Sequence, residues 1–138
     1  MTPKILYRIA AILLVLFAAG HQLGFRSVDP AWKAEETVRS MRETPLLIEG
    51  FTRSYWGLYS GFGFFTTLFM LFSAVFAWQL ARVSTGSRRE LVTSRWAFAI
   101  SYVAIAALTW SYFFLTPGVF ATLIAVALLG AARPERAV

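Results

Sequence analysis

The chain of 138 residues has no cysteine and a single histidine, and only 14% of its residues are charged. Without thiols there are no disulfides, thiolate metal ligands, cysteine-held iron–sulfur clusters or thiol redox chemistry. One histidine removes every site built from several imidazoles, so no metal site is expected. A soluble domain usually carries about 25% charged residues, and this chain falls well short. No internal repeat or low-complexity tract is present. What is abundant is apolar: 58% of residues are hydrophobic, and they fall in runs of the length that crosses a bilayer.

The net charge is +6. Binding of nucleic acid would need basic residues clustered on a soluble face. Here they flank apolar runs, which is how topogenic charge is arranged. The expected partner is the lipid bilayer, and no nucleic acid is expected.

The first run, Ile5 to Phe25, follows Lys4, holds Arg8 one turn inside and carries small residues at Ala18 to Gly20. That pattern resembles a secretory signal peptide, but it is read here as the first membrane helix, with Arg8 snorkelling to the headgroups. From Leu46 to Leu80 the chain is too long for one straight span. Trp56 and Trp78 lie 22 positions apart, about 33 Å along a helix, which matches the two interfaces where tryptophan collects. The second span is placed at 56–80, with Leu46 to Gly50 as a lead-in and a break at Gly50. A polar linker with a Ser-Thr-Gly-Ser turn precedes a third span at 96–115. Thr116, Pro117 and Gly118 read as a tight reversal in which Thr116 caps and Pro117 begins a fourth span, 117–132. Spans joined so closely are antiparallel neighbours.

Between the first two spans, residues 29–44 read as a short amphipathic helix. Asp29 followed by Pro30 is a start signal, and Ala31, Ala34, Val38 and Met41 form one stripe. Glu35 and Arg39 are spaced for an ion pair, and Pro45 ends the segment. The expected fold class is all-α: a single-domain polytopic membrane protein with four transmembrane helices in an antiparallel bundle, plus this extracytoplasmic amphipathic helix. Residues 1–8, 82–95 and 133–138 hold eight of the thirteen Lys and Arg against two acids, Glu90 and Glu135. The positive-inside rule then places both termini and the middle linker in the cytoplasm.

No ionisable residue falls near the middle of any span, which counts against pumps and proton relays. Polar and aromatic groups gather at the outer ends instead. His21, Arg53, Tyr55, Trp56, Tyr59, Trp110 and Tyr112 form a candidate ligand-binding edge. The plainer alternative is an aromatic belt at the interface, with His21 facing headgroups. Gly57, Ser60 and Gly61 share a helix face with Arg53 and read as a close-packing seam between helices.

The segments "GHQLGF" (Gly20 to Phe25), "GFTRSYWGLYSGFG" (Gly50 to Gly63) and "YFFLTPGVFATLIA" (Tyr112 to Ala125) together resemble an uncharacterised family of small bacterial integral membrane proteins. The resemblance covers most of the chain. It implies four helices with a polar insert after the first, residence in the bacterial cytoplasmic membrane, and nothing catalytic.

The leading expectation is a non-catalytic membrane component without a cofactor. It is an accessory subunit meeting a membrane protein or a second copy of itself, or a binder of a lipophilic small molecule. Two alternatives stay open. One is a membrane enzyme with His21 and Glu49 as acid and base. The other is a tetrapyrrole-binding subunit with His21 as sole axial ligand.

Overall fold

The computed structural model describes residues 1–83 and 85–133. In chain order these form α1 (Pro3–Gly24), a 3₁₀ turn (Pro30–Trp32), α2 (Glu35–Glu43), β1 (Pro45–Ile48), β2 (Phe51–Ser54), α3 (Tyr55–Arg82), α4 (Thr85–Glu90), α5 (Val92–Tyr112) and α6 (Leu115–Ala132). The fold is all-α, with one small hairpin as its exception. Four helices, α1, α3, α5 and α6, are long and apolar enough to cross a membrane. The chain separates into two compact units. One holds residues 1–17 with all that is described from 70 onward, and the other holds residues 18–69.

In the first unit, residues of α1, α3, α5 and α6 meet in one buried cluster. Tyr7, Leu14, Leu80, Ile124 and Leu128 are its largest fully buried members, and alanines such as Ala10, Ala77, Ala99 and Ala131 fill most of the rest. Small side chains let helix backbones approach closely, which is how membrane helices associate without a hydrophobic driving force between them. Helix α6 carries the longest buried stripe, including Gly118, Ala121, Ala125, Leu128 and Ala132. Their 3-4-3-4 spacing keeps one face inward.

Helices α5 and α6 form an antiparallel pair, pinned at both ends. At one end the Trp110 indole lies on Gly118, where an added Cβ would stand 2.9 Å from the ring. The same indole donates from Nε1 to Thr122 Oγ1 at 2.9 Å, and Thr122 donates onward to Gly118 O at 2.8 Å. At the other end Arg95, only 5% exposed, donates from its guanidinium to Ala131 O at 2.8 Å and Arg133 O at 3.2 Å. Its Nε reaches Tyr7 Oη at 3.2 Å. These carbonyls end α6, where the helix leaves acceptors unsatisfied and a cation is electrostatically favoured.

Several boundaries differ from the sequence reading. Arg95 belongs to α5, which starts at Val92, and is not part of a polar linker. The reversal between the last two spans lies at Phe113–Phe114, both extended, ahead of Thr-Pro-Gly, with Leu115 between. Pro117 therefore sits in the first turn of α6, where a missing N–H costs little because that donor has no intrahelical partner. Thr116 is inside the helix and does not cap it. In the middle linker Ser84 lies outside the described residues, while Thr85–Glu90 forms α4. The tail beyond Arg133 also lies outside them.

The second unit corrects the amphipathic segment. Asp29 does cap, its Oδ1 accepting from Ala31 N at 2.8 Å, but it caps only the 3₁₀ turn. Lys33 then adopts φ +50 and its N–H returns to Pro30 O, which ends the turn in a left-handed residue. The helix restarts as α2, with Glu35 and Glu36 in its first turn. The ion pair forms between Arg39 and Glu36 at 2.7 Å, not with Glu35. Leu46 to Gly50 is no lead-in. Pro45–Ile48 pairs antiparallel with Phe51–Ser54, closing at Ile48↔Phe51 through Glu49 and Gly50. Both turn residues have positive φ, +48 and +84, the geometry of a type I′ hairpin turn.

Candidate functional site around His21

The last turn of α1 and the first half of α3 build a compact arrangement within the second unit. Ser54 starts α3 as its cap, its Oγ accepting from Gly57 N at 3.1 Å. That satisfies one of the four donors a helix leaves open at its start. Along α3, Tyr59, Gly63 and Thr67 then recur every fourth residue and so share one face. This face meets His21 and Phe25.

Each contact has a defined chemistry. The Phe25 ring sits directly on Gly63, in the space a side chain would need. His21 stacks on Phe25 with centroids 4.9 Å apart and planes within 6°, an i,i+4 pair along the helix end. His21 Nδ1 lies 3.0 Å from Thr67 Oγ1. Thr67 has one hydroxyl proton, and its acceptors are Gly63 O at 3.1 Å and Gln22 Oε1 at 3.2 Å. With that proton so placed, Thr67 accepts from His21 Nδ1–H, and Nε2 becomes the acceptor of the neutral ring. Thr122 stands between Trp110 and Gly118 O in the same way. Tyr59 Oη donates to Phe25 O at 2.6 Å, closing a carbonyl just past the end of α1.

Aromatic rings and arginines surround this core. Phe64 meets Phe25 edge-on at 5.5 Å, and Trp56 tilts against Tyr59 at 5.5 Å. The Arg26 guanidinium lies 5.4 Å from Phe25 and 5.2 Å from Phe64. Arg42 of α2 lies 4.5 Å over Trp56, and Arg53 lies 5.1 Å over Phe51. Guanidinium over an aromatic face is attractive and gains strength as water is removed.

Of the residues singled out from sequence, His21, Trp56 and Tyr59 come together here. Arg53 faces the hairpin and donates to Thr52 O at 2.9 Å. Tyr55 is exposed at the start of α3. Trp110 and Tyr112 belong to the other unit. Trp110 is held against Gly118 and Thr122, and Tyr112 is 78% exposed. Glu49 occupies the exposed hairpin turn and forms no hydrogen bond or ion pair among the described residues. A Cβ at Gly61 would meet nothing within 4 Å, and one at Gly57 would meet only Ser54 Oγ at 3.4 Å. Ser60 Oγ is buried and has no hydrogen-bond partner among the described residues. The close approach is at Gly63, which sequence reasoning passed over along with Phe25, Thr67 and Arg42. The available signal was the four-residue spacing His21–Phe25 and Tyr59–Gly63–Thr67. Among the described residues no group of three or more His, Asp or Glu side chains could hold a metal ion.

The chain matches no described protein family, no curated protein and no solved structure. Its class therefore rests on architecture alone: an all-α chain with four helices fit to cross a membrane.

Proposed function

We propose that the chain is a small non-catalytic integral membrane protein of the bacterial inner membrane. It serves as an accessory subunit or holds a lipid-like ligand through the aromatic edge at the His21 end. The observation that carries this reading is how the polar groups are used. Tyr59 Oη is spent on Phe25 O, and His21 Nδ1 and Gln22 on Thr67, so they tie α1 to α3. The four long helices contain no Asp or Glu, which leaves no acid in a span to serve a proton relay. Outside the tied core, Tyr55 and Phe51 remain exposed, with Arg42 and Arg53 beside them. Such aromatic and arginine surfaces are what interfaces favour.

Gentle purification from the native membrane followed by native mass spectrometry tests this. The expected result is a fixed-stoichiometry protein partner or one defined small molecule, lost in Trp56→Ala and retained in Glu49→Gln. A bare chain carrying neither would contradict it. So would turnover of an identified substrate that disappears in both His21→Ala and Glu49→Gln while the fold persists.

A further inference from the structure

A different surface, in the first unit, carries an inference independent of that reading. Between the middle of α1 and the C-terminal half of α3 runs an apolar groove of about 420 Å³. Its floor is made by Ala11 and Ala74, both nearly fully buried, and its rims by Ile12, Leu16, Val75 and Trp78, all substantially exposed. The groove exists because alanine stands at both floor positions, so the taller neighbours form walls with nothing between them.

One end of the groove is basic. Lys4, Arg8, Ile12 and Leu16 follow one another at four-residue steps along a single face of α1. The Arg8 guanidinium lies 5.6 Å over the Trp78 ring, which itself lines the groove. Arg82 is one turn beyond Trp78 on α3. Among the described residues the sole ion pair is Arg39–Glu36, so Lys4, Arg8 and Arg82 have no carboxylate partner there. From Arg8 to Leu16 the helix rises about 12 Å, within the depth of one leaflet, about 15 Å. Apolar trough and cationic end thus match the two halves of one molecule.

We infer that this groove is a binding site for an anionic phospholipid, with an acyl chain over Ala11 and Ala74 and the phosphate between Lys4, Arg8 and Arg82. Trp78 sits at the boundary between the two, where an amphipathic indole is favoured.

Trp78 also reports on the site. In phosphatidylcholine vesicles containing either dibromo-phosphatidylglycerol or dibromo-phosphatidylcholine at equal mole fraction, the Trp78 signal is the difference between wild type and Trp78→Phe. The anionic brominated lipid is expected to quench that signal more, with a relative association constant about fivefold higher for each cation engaged. Arg8→Gln and Lys4→Gln should each move the ratio toward one. Ala74→Phe, which fills the trough, should reduce quenching by both lipids. Equal quenching by the two lipids in wild type would overturn the proposal, because it is the behaviour of an ordinary lipid-facing surface. Quenching by neither would overturn it as well and mark the groove as covered by protein, such as a second copy. So would a preference that survives in both Arg8→Gln and Lys4→Gln.

Discussion

Arg95→Met should lower stability by about 3 kcal/mol or more, since hydrogen bonds to a charged group contribute about 1.5–3 kcal/mol each. The substitution keeps the apolar stem and removes the donors to Ala131 O, Arg133 O and Tyr7 Oη. The carbonyls at the end of α6 then lose a cationic donor, and at Ala131 O the lost bond is a buried one, where an unsatisfied acceptor costs about 1–3 kcal/mol. Arg95→Lys should lose less. A single ammonium can still donate to one carbonyl, but it cannot span two carbonyls and Tyr7 as a planar fork does. Reversible denaturation in mixed micelles measures both variants. A stability unchanged in Arg95→Met would mean the guanidinium is not the fastening that joins α1, α5 and the end of α6.

The second large effect separates two glycines two positions apart. Gly63→Ala places a methyl group where the Phe25 ring lies, so the ring must leave its place under His21 and Arg26. Overpacking of this kind costs about 1–3 kcal/mol. Gly61→Ala enters open space, and alanine is the better helix former by about 0.5–1 kcal/mol, so it should be neutral or slightly stabilising. Thermal midpoints of the two variants, measured in one detergent, give the comparison. Equal destabilisation would show that Gly61 too lies in a close contact. Equal tolerance would remove Phe25 from Gly63.

Much of the architecture was readable in advance, for a definite physical reason. Apolar runs of bilayer length leave few alternatives to helix, so all four long helices fall near their expected places. Tryptophan spacing located α3 to within two residues at each end. What escaped depended on chemistry that has more than one local solution. Thr-Pro-Gly suits a turn, but proline is equally comfortable in a first helical turn, and α6 takes that option. Glu-Gly is a weaker hairpin signal than Asn-Gly, and the flanking residues do not alternate cleanly, so the hairpin was hidden inside an apolar run. Lys33 breaks the amphipathic segment in a left-handed conformation that its identity does not announce.

The site was legible in part. His21, Trp56 and Tyr59 stood out because their residue types are chemically conspicuous. Gly63, Phe25 and Thr67 did not, because a glycine under a ring is recognised only once the facing helix is known. By its place in the sequence Arg95 belongs with the charges that orient the chain. Nothing local distinguishes it from its neighbours in the linker, and its role comes from Tyr7 and the end of α6, both distant in sequence.

Four helices are long and apolar enough to cross a membrane, and the absence of cysteine makes their crossing directly measurable. Single cysteines at Glu49, in the hairpin turn, and at Gly86, in α4, can be challenged with a membrane-impermeant maleimide in intact cells. Glu49→Cys should be labelled from outside, and Gly86→Cys only after the membrane is opened. Labelling of both from the same side would contradict the arrangement, because α3 would then not cross between them.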